Sequence, residues 1–155
     1  MSTAYVFPQL ASIYAALAPI VEALLRVTVA LCLIPHGLRT YFGMFPNTGM
    51  PINSLPMLVD VLDQGGYRPG RLWGPVIVAT ELIGGPMLAL GLFTRLVSIP
   101  VFMLLALSVY EHRKFGWFWN TQGAEYPLIW AMASLYFLVN GGGVISLDHL
   151  IGWEF

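Results

Sequence analysis

The chain has 155 residues, of which 57% are hydrophobic and 10% charged, against about 25% charged in an ordinary soluble domain. Its formal net charge is -1 and it carries no basic arm or run, so it lacks the phosphate-neutralising surface a nucleic-acid partner requires. One cysteine, Cys32, rules out an internal disulfide and a CxxC dithiol mechanism. The composition is that of an integral membrane protein of one domain.

No Lys or Arg precedes Arg26, so the amino end has no charged n-region of a cleaved signal peptide, and the first apolar segment is expected to stay on the chain. Residues 4–18, AYVFPQLASIYAALA, are broken by Pro8 and carry two tyrosines. They are expected to lie at the membrane surface or to extend the first helix. Pro19 suits a first helical turn, which gives a first span over about 20–38. Glu22 and Arg26 are one turn apart on it, and continuing their stripe through Val29 and Leu33 brings it near His36. That face is expected to look into a bundle.

From residue 43 to 71 the composition turns to Pro, Gly and Asn, with turn signals at Pro46-Asn47, Pro51 to Ser54 and Gly65-Gly66. Leu55, Leu58, Val59 and Leu62 mark one side of a short helix over about 55–64, with Asp60 and Asp63 on the other. Ser54 is placed to cap it, Pro56 fits its first turn and Gly65 stops it. Under three turns long, it is too short to span and is expected at the interface, over the mouth of the bundle.

Leu72 to Phe93, LWGPVIVATELIGGPMLALGLF, is the stretch around which the other spans are expected to gather. Its 22 residues make about 33 Å of helix, enough to cross a bilayer. Glu81 stands near its centre, where a charge costs roughly 2.5 to 3.5 kcal/mol, so it must be protonated, paired or turned inward. Arg26 is the expected cation. Gly84, Gly85 and Gly91 permit close helix approach, and Pro86 is expected to kink the span.

A third span follows over about 96–111. Glu111, His112, Arg113 and Lys114 close it, and FGWFWN (115–120) reads as an aromatic belt. The fourth span runs over about 126–141, after Glu125-Tyr126-Pro127, read as a helix cap. The expected fold is therefore all-α: an antiparallel four-helix membrane bundle with a short interfacial helix in its first loop. Such a topology gathers His36, Arg39, His112 and Glu125 at one end, above Glu81. Arg95 and Asp148 leave adjacent span ends on the other side and read as a structural clasp. Arg39, Arg68, Arg71, Arg113 and Lys114 favour a cytoplasmic face for loops one and three.

RVTVALCLIPHG (26–37), ELIGGPMLALGLFTR (81–95), GAEYPLIWAMASL (123–135) and GGGVISLD (141–148) together resemble the successive motifs of the DoxX family of small four-span membrane proteins. The pattern departs from that family's at Thr40, where a lysine is usual, and at Gly142, where a proline is. The resemblance implies a prokaryotic cytoplasmic-membrane subunit of a redox system, quinone-linked, sulfur-linked or tied to oxidative stress, related to the membrane subunit of thiosulfate:quinone oxidoreductase, and, if it is enzymatic at all, an oxidoreductase subunit rather than a complete enzyme. A quinone is the cofactor it admits first, ahead of haem or a metal on His36 and His112. Besides the bilayer it implies a partner protein or a homo-oligomer. Two other readings stay open: a non-enzymatic conduit or binding module for a small solute, proton or metal, and a structural assembly subunit.

Candidate functional residues on this reading are Arg26, His36, Arg39, Glu81, His112 and Glu125. For Arg26 with Glu81 the bland reading is a buried pair that fixes helix register, and the sharper one makes Glu81 a proton acceptor.

Overall fold

The computed structural model describes residues 7–47 and 52–153. A helix of 32 residues, α1 (Ala11–Phe42), enters from a 3-10 turn at Pro8–Leu10. Pro19 therefore lies inside the helix and not in its first turn. Alanines at 15, 16 and 18 favour helix on the amino side, and an apolar medium tolerates the one hydrogen bond a proline deletes. Of the two expectations for the amino-terminal stretch, helix extension is the outcome for residues 11–18, while residues 4–6 lie outside the described residues. Gly43, at φ 68°, ends α1 by donating to the Arg39 carbonyl at 2.9 Å.

The inward face of α1 follows the helical period through Arg26, Val29, Ala30, Leu33, Gly37 and Thr40, all buried. His36, by contrast, is exposed. It does not share the inward face with Arg26.

After residues 48–51, which lie outside the described residues and take part of the Pro51 to Ser54 turn signal with them, α2 (Leu55–Gln64) runs between Ser54 and Gly65. Its buried Leu58 and Leu62 pack with Val78 of α3 (Gly70–Ala79). Asp63 is not a free solvated charge, since its Oδ1 accepts from the Gly70 amide at 2.7 Å and so caps α3. Gly74 helps α2 lie this close, because a Cβ there would stand 3.0 Å from Val59 Cγ2, tighter than ordinary contact.

α3 passes through a π-helical turn, Thr80–Gly84, into α4 (Gly85–Leu90). The Gly85 amide reaches back to the Thr80 carbonyl. The expected disturbance by Pro86 thus takes the form of an extra residue in the preceding turn, which accommodates the missing proline N–H. Glu81 is carried on that turn.

Two glycines set the register between α1 and this segment. A Cβ on Gly37 would stand 2.7 Å from Leu82 Cγ and 2.9 Å from Glu81 Cβ, and one on Gly85 would stand 2.8 Å from Ile34 Cγ1. Small residues at such crossings let helices approach where no hydrophobic effect drives them together.

α5 (Thr94–His112) packs most extensively against α6 (Glu125–Asn140). Val97, Val101 and Leu105 of α5, Ala131 and Phe137 of α6, and Val29, Leu33 and Leu88 form one buried cluster. A short α7 (Leu147–Ile151) closes the described chain, its first turn capped by Ser146 Oγ, which accepts from the His149 amide at 3.1 Å. No strand occurs among the described residues. Three helical stretches, Pro8–Phe42, Gly70–Leu90 and Thr94–Phe115, are long and apolar enough to cross a membrane. Large aliphatic side chains lie exposed along them, including Leu31, Ile83 and Met103, as lipid-facing positions do.

The Gly37 crossing is open to test. Gly37→Val should overpack it and lower stability by roughly 1 to 3 kcal/mol. Thermal unfolding in detergent would show this as a lowered midpoint, and an unchanged midpoint would remove the glycine from the register argument.

Candidate functional site

The candidate residues fall into three groups at different depths. At the end formed by the α4–α5 turn, the Arg26 guanidinium satisfies three backbone carbonyls. Nε donates to Ala89 O at 3.3 Å, Nη2 to Ile145 O at 2.6 Å, and Nη1 to Gly142 O. Gly91, at φ 67°, makes room for it, since a Cβ there would stand 2.8 Å from Arg26 Cζ. One turn earlier on α1, Glu22 lies against Gly143 and accepts from the Tyr136 hydroxyl at 3.3 Å.

Asp148 completes this end. Its Oδ1 accepts from the Phe93 amide at 2.6 Å and its Oδ2 from the Thr94 amide at 2.8 Å, while its own amide donates to Gly91 O at 2.9 Å. The carboxylate thus caps α5 and holds Phe93 in the left-handed region at φ 49°. Asp148 does form a clasp, but on backbone amides, while the Arg95 guanidinium lies over Gly141. Two amides at the start of α5 that would otherwise lack partners fill both oxygens of the carboxylate.

Glu81 lies deeper, against Gly37, and is 9% exposed. Its Oε2 has no hydrogen-bond partner among the described residues. No hydrogen bond or ion pair joins it to Arg26 among the described residues, so the expected central pair is not formed. The glycine crossings set Gly37 beside Glu81, and Gly37 is 11 residues from Arg26, about 16 Å along α1. A guanidinium arm does not cover that distance. Arg26 belongs to the opposite end.

At the loop one and loop three end, Tyr67 donates to Glu111 Oε1 at 2.5 Å and Lys114 to Glu111 Oε2 at 3.0 Å. This tie joins the α2–α3 connection to the last turn of α5. No local sequence signal points to it, because its partners stand 44 residues apart. The hydrogen bond to the Glu111 carboxylate, with burial second, pushes the Tyr67 phenol up to about 12. Glu125 serves the loop: its Oε2 accepts from the Trp119 amide at 3.1 Å, and its amide donates to Trp117 O at 3.0 Å. The carboxylate therefore steadies the exposed Trp117–Trp119 belt.

Arg39 is buried in the last turn of α1. His112 Nδ1 donates to the Ser108 carbonyl of its own helix at 2.8 Å, and His36 is exposed. The two histidines are not brought into contact. No cluster of three or more His, Cys, Asp or Glu side chains suited to a metal occurs among the described residues. A groove of about 240 Å³ is lined by Tyr41, Leu55, Pro75, Val78, Leu82 and their neighbours and is almost wholly apolar; Glu81 is not part of its lining.

The DoxX family's sequence model matches residues 21–112, more than half of the chain. The chain belongs to the DoxX family. The matched stretch holds Arg26, the Gly37 crossing, Glu81 and the α5 helix, and it ends before α6. A Haemophilus influenzae protein described only as "Uncharacterized protein" is 27% identical over 138 residues, covering 84% of this chain and 90% of its own length. No solved structure matches the chain.

Two outcomes follow for this DoxX chain. With Arg26 and Glu81 about 16 Å apart along α1, the losses from Arg26→Met and Glu81→Leu should add to within about 0.5 kcal/mol. A double mutant more stable than either single variant in detergent would restore the pair. Separately, Tyr67→Phe should cost about 1 kcal/mol at pH 8. A phenol whose pKa is raised on folding contributes fully below its unfolded value near 10 and loses that contribution as pH rises to about 12. The gap between wild type and Tyr67→Phe should therefore close across that window, and a gap independent of pH would show that the hydroxyl acts otherwise.

Proposed function

We propose that this DoxX protein is the membrane subunit of a quinone-linked redox system, coupled to a partner protein that supplies the electrons. The observation that carries the reading is Glu81, a carboxyl in a membrane helix, nine-tenths buried, on a π-helical turn, with an oxygen left unpartnered among the described residues. Intramembrane acids that no structural bond accounts for are functional by default, and π turns recur at functional sites. The contrast with Asp63, Asp148 and Glu125, whose carboxylates each hold backbone amides, sharpens it.

A quinone fits the residues present. The apolar groove lined by Val78, Leu82 and Ile83 suits a ring and tail arriving from the bilayer, and Glu81, on the same helical segment though outside that lining, is the group able to hold or deliver a proton at Oε2. When bound, the quinone would supply two-electron, two-proton chemistry. The protein's part is to exclude water and present that carboxyl.

In this reading α6 is the fourth span of an antiparallel bundle in a prokaryotic cytoplasmic membrane. Its 16 residues make about 24 Å of helix, and the Trp117–Trp119 belt before it extends the apolar height. α2 then lies at the interface, with loops one and three cytoplasmic and facing the partner protein.

Glu81→Gln removes the proton and keeps the shape. In the complex purified with its partner, it should leave assembly and unfolding midpoint intact and lower quinone reduction at least tenfold, since general acid–base groups contribute roughly 10²- to 10⁴-fold. Full activity in the variant would overturn the assignment. Proton or solute uptake into liposomes by the protein alone, abolished by the same substitution, would replace it with a conduit.

A further inference from the structure

The buried hydroxyls of the helices divide into two kinds. Thr80 Oγ1 donates to the Val76 carbonyl and Ser134 Oγ to the Ala131 carbonyl, both at 2.9 Å, so each is satisfied within its own helix. Thr94 and Ser98 are fully buried, yet Thr94 Oγ1 and Ser98 Oγ have no hydrogen-bond partner among the described residues. They share that state with Glu81 Oε2. Packing alone does not ask for these hydroxyls. Small residues let α5 lie close to its neighbours, but alanine does so without a buried polar atom to satisfy.

The three oxygens follow one another in depth. Thr94 and Ser98 are one turn apart and, with Val101, share the fully buried side of α5. A Cβ on Gly84 would stand 3.5 Å from Val97 Cγ1 and 3.9 Å from Val101 Cγ2. Ser98 therefore lies near the level of Gly84, which ends the π-helical turn that carries Glu81. From Glu81 to Ser98 and from Ser98 to Thr94 is in each case about one helical turn, roughly 5 to 6 Å in depth, a step that one or two bound waters bridge with hydrogen bonds of about 2.8 Å. At the far end, a Cβ on Gly142 would stand 2.7 Å from Thr94 Oγ1, so that hydroxyl lies against the glycine loop whose Gly142 carbonyl Arg26 takes. Glu22 lies half-buried at the next residue of the loop, Gly143.

We infer that Ser98 and Thr94, with water bound between them, form a proton path from Glu81 to the end of the protein held by Arg26 and Asp148. A hydroxyl both donates and accepts, so it passes a proton along a hydrogen-bonded file without itself changing charge. The proton leaves or reaches Glu81 Oε2, crosses Ser98 and Thr94, and meets water at the glycine loop, where Glu22 and Asp148 offset the Arg26 charge. Glu81 thereby exchanges protons with the face opposite loops one and three. In the redox reading, electrons from the partner protein and protons for the quinone then arrive from opposite sides of the membrane.

The inference rests on Glu81 as the proton-handling group of the proposed function, and its test needs no quinone. The full chain in lipid nanodiscs is moved rapidly from water into D2O at mildly acidic pH, and infrared spectroscopy follows the carbonyl stretch of protonated Glu81, assigned by its loss in Glu81→Gln. Deuterium exchange of that carboxyl should slow at least tenfold in both Ser98→Ala and Thr94→Val, with unchanged unfolding midpoints. Thr94→Ser, which keeps the hydroxyl, should exchange at the wild-type rate, as should Ser134→Ala, whose lost hydroxyl was satisfied within α6. A wild-type rate in Ser98→Ala or Thr94→Val, equal slowing in Ser134→Ala, or a wild-type Glu81 carboxyl that gives no such band or does not exchange would each overturn the path. If the path fails while Glu81→Gln still blocks quinone reduction in the complex, the site stands and only its proton route is removed.

Discussion

The arginine on α1 is the piece on which the arrangement depends. In an apolar medium the carbonyls at a helix end and in a tight loop find no water, and each left unpaired costs several kcal/mol. Arg26 meets three of them, from the last turn of α4, the triple-glycine loop and the approach to α7. Its charge also sits where the α4 dipole is negative. Asp148 does the complementary work a few residues away, filling two amides at the positive start of α5. One cation for carbonyls and one anion for amides thus close the same end, and the backbone between α4 and α5 turns in three residues, 91–93.

That end explains the density of glycine. Gly91, Gly142 and Gly143 each stand where a side chain would meet Arg26, Thr94 with Ser146, or Glu22. The Gly142 carbonyl is one of the three that Arg26 reaches. A residue without a side chain keeps that carbonyl free to turn toward the guanidinium. At the opposite end the solution is looser: separate carboxylates, Asp63, Glu111 and Glu125, each hold one loop by one or two bonds.

Much of this was legible because proline and glycine mark where helices begin and end. Ser54, Pro56 and Gly65 bracket α2, and Thr94 follows the turn at Gly91 at once. Pro19 misled, since its position rule describes helices in water, and here the surrounding alanines and apolar medium carry the helix through it. The Arg26–Glu81 pair misled for a different reason. Charge complementarity says which groups would gain by meeting, but depth is set by the Gly37 and Gly85 crossings, and a glycine in an apolar run does not announce which helix it will face. Arg95 and Asp148 were located on the correct side, yet the partners of Asp148 were main-chain amides, which carry no signature in sequence.

The failure of the expected pair changes what Glu81 means. Had Arg26 neutralised it, its burial would be accounted for by packing, and a double substitution by apolar residues would be the natural control. Arg26 is occupied 16 Å away along the helix, and the other described carboxylates of the loops and helix ends are bonded to amides or hydroxyls. Glu81 alone among the buried acids has an oxygen for which the described fold provides nothing. A membrane protein that met three carbonyls and two amides at its far end with dedicated side chains leaves this oxygen without a partner among the described residues. On the proposed reading, such a group is retained at its insertion cost for proton handling, which a purely structural helix would not need.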